Sequence, residues 1–371
     1  MLFRSMDYNA TTPLRPEVKA EMVEDLEVYA NASSMHEAGR RARQRIEQAR
    51  ASVAALVGAE DPERVIFTSG GSESNNTVFA TMFHLGRKGD RRGIVTTKIE
   101  HPCVLNAAKW LQDEGFPVNF LDVDEYGMIR LDQLEAAVGP DTLLVSVMAA
   151  NNEIGTVQDL PAISRIVKAS GAFLHTDGTQ AVGKIPVSVD AWGVDYMTMS
   201  CHKLYGPKGI GGLYVREGAP LEPLIRGGHQ EHGFRAGTYN NLGILGFGLA
   251  AELARADLDQ YMRKTGALRA RLRDGILASV PKAKVNGHPT SVLPNTLDIS
   301  FPGAEGEAIL LSLDLEGIRV STGSACASGS LEPSHVLLAT GVGPELAHGS
   351  IRFSLGRDST EADVDYVISK I

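Results

Sequence analysis

Between about residues 64 and 216, short apolar runs alternate with amphipathic stretches, and most runs close on glycine or a polar cluster. Residues 65–68, 94–97, 118–123, 143–148, 173–176, 196–200 and 212–215 read as strands. Several are rich in Val and Ile without a polar alternation, the pattern of strands buried on both faces. Stretches such as 102–114 and 160–170 carry apolar residues at helical spacing and read as the helices between them. This repetition predicts an α/β fold whose central sheet is mostly parallel and covered on both faces. Ligands of such sheets sit beyond the carboxyl ends of the strands, so the polar clusters there are the places to look for chemistry.

Further along, Leu249, Leu253, Leu258, Tyr261, Met262, Leu268, Leu272 and Ile276 make one buried stripe on a long helix. From about residue 284 the pattern changes to separate strands (296–300, 318–320, 350–354) and helices, a smaller α+β unit. Thr360 and Asp363 have capping-box spacing and predict a terminal helix. The expected division is a large domain over residues 14–257 and a small one built from 1–13 and 258–371.

Composition narrows the class. The chain has 371 residues with 36 Lys+Arg and 45 Asp+Glu, a formal charge of −9. That balance disfavours nucleic acid or an anionic membrane as the main partner. The three cysteines, Cys103, Cys201 and Cys326, are too sparse for a disulfide framework and fit a reducing cytoplasm. No CxxC pair points to zinc, and no metal site is expected. No apolar run has the length of a membrane span, and the first residues lack the apolar segment of a signal peptide. Two nucleotide-like signatures fail. GTQAVGK (178–184) is followed by Ile185 and Pro186, which supply no hydroxyl for Mg²⁺ and no helix; GPKGIGG (206–212) lacks GxGxxG spacing. Both read as turns.

The informative clusters lie at predicted strand ends. SCHK (200–203) closes one strand and HTD (175–177) another. A lysine and an aspartate so placed are what pyridoxal 5′-phosphate (PLP) requires: an amine for its aldehyde and a carboxylate that keeps its pyridine nitrogen protonated. The segment SGGSESN (69–75) leads from a strand into a helix, where unpaired backbone N–H groups and the helix dipole favour a phosphate. Cys326 sits in STGSACASGS (321–330), a run of small residues that reads as a flexible arm.

With these clusters in place, the chain resembles the PLP-dependent cysteine desulfurases of the NifS/IscS-like group, in the class-V, fold-type-I aminotransferases. The resemblance runs through DYNATTP (7–13), NASSMHEAGR (31–40), FTSGGSESNN (67–76), EHPCVLN (100–106), NNEIGT (151–156), HTDGTQ (175–180), SCHKLYGPKG (200–209), RAGT (235–238), STGSACASGSLEPS (321–334) and SIRFSLGR (350–357). It implies Lys203 as the lysine that takes the cofactor and moves the substrate proton, and Asp177 as the pyridinium partner. It implies Gly71, Ser72, Ser200 and His202 at the phosphate, with Thr238 reaching it from the second subunit of a homodimer. By the same resemblance His101 stacks on the ring and assists proton transfer, Asn152 and Gln180 meet the phenolic oxygen, and Arg352 and Asn31 hold the substrate carboxylate.

The implied reaction converts L-cysteine to L-alanine and leaves the sulfur on Cys326 as a persulfide, with His101 as the candidate acceptor of the thiol proton. A sulfur-acceptor protein such as an iron–sulfur scaffold would follow; tRNA thiolation is another use of the same sulfur. The rivals are a selenocysteine lyase or transaminase on this fold, and a non-catalytic sulfur carrier. The Cys326 arm speaks against a transaminase, and the intact Lys203 and Asp177 speak against a carrier. Ala32, Gly178, His229 and His232 depart from the usual pattern of their blocks.

Overall fold

The computed structural model describes residues 3–323 and 333–371. β1 (Arg4–Ser5) is followed by α1 (Pro16–Asp25) and α2 (Glu37–Val57). Strands and helices then alternate: β2 (Val65–Thr68), α3 (Gly71–Lys88), β3 (Gly93–Thr97), α4 (Pro102–Asp113), β4 (Val118–Leu121) and α5 (Leu131–Ala137). β5 (Thr142–Ser146), α6 (Leu160–Ser170), β6 (Phe173–Asp177), α7 (Val189–Trp192), β7 (Tyr196–Ser200) and β8 (Gly211–Val215) complete the run. These seven strands form one sheet in the order β2-β8-β7-β6-β5-β3-β4. It is parallel except for β8, which runs antiparallel to both of its neighbours. The mostly parallel α/β sheet read from the apolar runs is therefore the sheet that forms.

Two strands end earlier than their apolar runs. β4 stops at Leu121 because Asp124 accepts the N–H groups of Tyr126 and Met128, which turns the chain so that Val123 bridges Ile129 instead. Past β5 the backbone still donates to β6, from Val147 to the His175 carbonyl and from Ala149 to that of Asp177, while the chain bends into the site.

α8 (Asn241–Ser279) begins well before the apolar stripe does. Asn240 caps it by accepting from Gly243 N–H at 3.1 Å. Its first turns carry Gly243, Gly246 and Gly248, poor helix formers that hide the helix from a propensity reading. Gly248 is needed for packing: a Cβ there would lie 2.5 Å from Ala49 Cα of α2. The remaining elements are β9 (Lys284–Asn286), β10 (Thr296–Ser300), α9 (Gly306–Leu315), β11 (Ile318–Arg319), α10 (His335–Ala339), α11 (Pro344–His348), β12 (Ser350–Ser354) and α12 (Glu361–Lys370). β12, β10 and β9 pair antiparallel, and β1 pairs parallel with β11, which ties the amino terminus to this later region. The capping box of Thr360 and Asp363 forms at the start of α12.

Two apolar cores meet along α8. Ile244, Phe247, Ala250 and Ala251 pack into the core beneath the central sheet. Leu268, Leu272 and Ile276 pack with Met6, Leu297, Ile299, Ile351 and Phe353 in the second. None of the described helices is long and apolar enough to cross a membrane.

A buried ion pair fixes the strand that leads to the site. Arg50 of α2 is fully buried and donates to both Glu231 carboxylate oxygens, at 2.7 and 2.9 Å, and to the Val65 carbonyl at 2.7 Å. Glu231, held at φ 47°, also accepts Phe67 N–H at 2.9 Å, so the pair grips β2 just before the turn into α3. Removing one partner of such a pair strands the other charge away from water. Arg50→Ala is expected to lower the unfolding free energy by about 3–5 kcal/mol, read by urea denaturation; a loss below about 1 kcal/mol would show that Glu231 reaches water or another cation.

Candidate active site

Beyond the carboxyl ends of β5, β6 and β7 lies a cavity of about 520 Å³. Asp177 is the last residue of β6 and is buried. Its Oδ1 accepts Thr179 N–H at 2.9 Å and its Oδ2 accepts from Asn75 Nδ2 at 2.8 Å. These two donors leave the carboxylate pinned at the strand end with its charge directed into the cavity wall.

Lys203 follows β7 in a single helical turn, Cys201–Lys203. Its Nζ donates to the carbonyls of Asn9 at 2.6 Å and Ala10 at 2.8 Å. The turn is tight: Tyr205 takes φ 66°, and a Cβ on Gly206 would meet Cys201 Sγ. That crowding fixes where the lysine leaves the backbone. His202 beside it has its pKa pushed down to about 4, by burial first and then by Lys203, Lys208 and Lys184. Its Nδ1 lies 3.0 Å from Thr11 Oγ1.

The amino end of α3 supplies the opposite polarity. Gly70 precedes it at φ 157°, and no side chain caps the helix among the described residues. A Cβ on Gly71 would sit 3.2 Å from Thr179 Oγ1, so glycine keeps the first turn close to the cavity floor. His101 caps α4, its Nδ1 accepting Cys103 N–H at 3.2 Å. Burial lowers the His101 pKa, Asp177 opposes this and Lys203 adds to it. Arg352 of β12 is buried and donates to the Asn152 carbonyl at 3.0 Å and to Asp7 Oδ1 at 2.9 Å.

The cavity wall thus gathers Gly71, Ser72, His101, Asn152, Asp177, Gln180, Ser200, His202, Lys203 and Arg352 from elements far apart in sequence. Asn31 and Thr238 do not line it and are exposed. Cys326 lies outside the described residues.

Comparison with known proteins gives the same answer over nearly the whole chain. Residues 5–367 match the family Aminotransferase class-V. Cysteine desulfurase 2 of Trichormus variabilis is 50% identical over 364 residues, covering 98% of this chain and 90% of that protein. Cysteine desulfurase IscS of Dictyoglomus turgidum is 48% identical, covering 98% and 92%. The solved structure of a NifS-like protein superposes with a TM-score of 0.93 at 40% identity, covering 100% of this chain and 98% of that one. Another, titled SspA in complex with cysteine, gives 0.84 at 33%, covering 96% and 100%.

The chain belongs to the class-V aminotransferases, among the cysteine desulfurases.

That family is PLP-dependent, and the residues of this class-V chain fit the group. Arg352 Nε, Asn75 Oδ1 and Thr179 Oγ1 are buried without a partner among the described residues, and all three side chains border the cavity. Unpaired polar atoms on a cavity wall are unfavourable unless a ligand meets them. The site also has the right chemistry: hydrogen-bonding groups at the first turn of α3, Ser200 and His202, a carboxylate at Asp177, and an amine at Lys203.

Several site residues were missed by the sequence reading. Asn75 lies in FTSGGSESNN and Asn9 in DYNATTP, where the resemblance implies no role for either. Lys184 closes GTQAVGK, which reads as a turn; it is buried, and its Nζ donates to Asn9 Oδ1 at 2.9 Å and to Gln180 Oε1. Glu100, next to His101, is buried as well. Its Oε1 accepts from Thr97 Oγ1 at 2.8 Å and Met148 N at 2.9 Å, while Oε2 meets no partner among the described residues. A carboxylate so placed gives no signal beyond its position in the EHPCVLN block.

Burial pushes the Glu100 carboxyl up to about 8, against the pull of its two donors and with a contribution from Asp177. The folded chain therefore holds a proton that the unfolded chain loses near 4.5. Stability falls as pH rises between those values, because the folded state binds more protons there. Glu100→Gln is expected to remove that decline, so wild type loses ground to the variant from about pH 4.5 to about pH 8 and not beyond. Parallel curves of unfolding free energy against pH would contradict the assignment.

Proposed function

We propose that the chain is a PLP-dependent cysteine desulfurase that converts L-cysteine to L-alanine and holds the sulfur on Cys326 as a persulfide. The observation that carries this reading is the shared cavity: the Lys203 amine, the Asp177 carboxylate, the uncapped end of α3 and the buried Arg352 all border it. A transaminase would need the same four groups. The cysteine desulfurase relatives at about half identity, together with Cys326 in its run of small residues, favour sulfur transfer.

PLP supplies, when bound, an electron sink conjugated to the substrate Cα. The chain's residues do the rest. Gly71, Ser72, Ser200 and His202 hold the phosphate with the first turn of α3, where the helix dipole favours an anion. Asp177 would keep a proton on the pyridine nitrogen, and Asn75 and Thr179 hold its carboxylate in place by donating to it. Asn152 and Gln180 meet the phenolic oxygen. Arg352 grips the substrate carboxylate; a guanidinium can do so through two parallel bonds. Lys203 Nζ takes the Cα proton. His101, kept neutral by burial, takes the thiol proton of Cys326 or of the substrate. The overall balance is redox-neutral: a Cβ–S bond breaks, an S–S bond forms, and the Cys326 proton replaces sulfur on Cβ.

Two further parts of the reading follow. By the family resemblance Thr238, which is exposed and does not line its own cavity, serves the phosphate of a second copy in a homodimer. The apolar surface at Val23, Leu26, Val28, Tyr29 and Met35, with Tyr29 101% exposed, is available to that copy. Residues 14–257 form the cofactor-binding unit; residues 1–13 and 258–371 form the unit that carries Arg352 and Cys326. The sulfur then passes to an acceptor protein, an iron–sulfur scaffold being the use that the IscS relatives favour.

Cys326→Ala separates sulfur transfer from cofactor binding. The variant is expected to keep the visible absorbance of bound PLP and to lose sulfide release from L-cysteine by at least about 100-fold. Full sulfide release from the variant in the presence of a thiol reductant would remove Cys326 from the reaction.

A further inference from the structure

A chain of polar contacts runs from Asp177 to His101 through Asn75, which holds Asp177, and Cys103, which the proposed reaction does not use. Asn75 of α3 is fully buried. Its Nδ2 donates to Asp177 Oδ2 at 2.8 Å and to Cys103 Sγ at 3.1 Å. An amide nitrogen has two hydrogens, one for each partner, and a flipped amide would set its oxygen against the Asp177 carboxylate. Cys103 Sγ in turn lies 2.9 Å from His101 Nδ1. The same Nδ1 accepts the backbone N–H of Cys103. A ring nitrogen that accepts a backbone N–H bears no hydrogen, so the neutral ring carries its proton on Nε2. The sulfur contact then has a single polarity, with the S–H donating.

We propose that Cys103 is a positioning residue: its S–H, oriented by Asn75, is a second donor to His101 Nδ1 that favours the neutral Nε2–H ring and links that ring to Asp177. The proposal rests on the reading of His101 as the ring at the cofactor, and gives a role to a thiol lining the cavity. Burial, reinforced by Asp177 and opposed by Asn75 and Ser72, pushes the Cys103 thiol up to about 12, so it remains a donor at neutral pH. Asp177 at the end of β6, Lys203 after β7, Glu153 after β5 and His335 of α10 also act on the His101 ring; Glu100 adjoins it in sequence. Asp177 and Glu153 favour the charged ring, while Lys203 and His335 disfavour it. Donation to Nδ1 works with burial, because protonation of that nitrogen would break both hydrogen bonds. The relay therefore holds His101 as a neutral ring with its hydrogen on Nε2, and any proton the ring takes up goes to Nδ1 at the expense of both hydrogen bonds.

The test is ¹⁵N-histidine NMR on the full-length, PLP-loaded protein, with the His101 signals assigned by their absence in His101→Gln. Wild type is expected to show an unprotonated Nδ1 and a protonated Nε2. In Cys103→Ala the ring should titrate higher by about half to one pH unit, its tautomer still held by the backbone N–H of residue 103. Cys103→Ser, which keeps a donor, should restore the wild-type pattern. Unchanged signals in Cys103→Ala, or a serine variant that behaves like alanine, would overturn the proposal. The readout is the ring and not turnover, so the result stands apart from the outcome for Cys326: the shift in the ring's titration is seen or not whether or not the desulfurase reading holds.

Discussion

Asn9 joins the two cores through every polar atom it has. Its carbonyl accepts from Lys203 Nζ and from Gln180 Nε2. Its Oδ1 accepts from Lys184 Nζ and Asn295 Nδ2, and its Nδ2 donates to the Asn152 carbonyl and Thr296 Oγ1. Its own N–H donates to Ser354 Oγ. At 1% exposure none of these bonds competes with bulk water. A buried network that is fully satisfied is rigid, and one that loses a member leaves several atoms unpaired at once. The segment that carries Asn9 therefore aims the lysine at one wall of the cavity and attaches β10 and β12, with Arg352, to the other.

The sheet explains why this wall is reactive. Parallel strands place the residues that follow β5, β6 and β7 along one edge, and α3 enters the same edge with its amino end. Opposed charges then accumulate without sequence proximity: a carboxylate at Asp177, cations at Lys203 and Arg352, and N–H dipoles at Gly71 and Ser72. Burial does the tuning. It lowers the affinity of His101 and His202 for protons and raises that of Glu100 and Cys103, so at neutral pH the rings are uncharged and the thiol is intact.

Much of this was legible in the amino-acid sequence, for identifiable reasons. Strands buried on both faces announce themselves as apolar runs, and Asp177 and Lys203 stand at the ends of two of them. The early part of α8 was not legible because its glycines pack against α2 by lacking side chains, which periodicity does not register. The polar second layer was hidden for a different reason. Asn9, Asn75, Lys184 and Glu100 have composition and spacing like any surface residue; only the fold shows that they are buried. Lys184 is the sharpest case. Burial, with Lys203 and Arg352 nearby, drives its pKa well below the ordinary lysine value, and its place in a failed nucleotide motif gave no hint of that.

Two amines thus lie close to the same asparagine, and only one of them can reach a cofactor in the cavity. Lys203 borders the cavity; Lys184 is buried behind Gln180. Borohydride reduction of the PLP-loaded protein, followed by peptide mass mapping, decides between them. The predicted result is a single pyridoxyl label on Lys203. A label on Lys184, or a protein that takes up no label, would contradict the arrangement on which every step of the proposed chemistry depends.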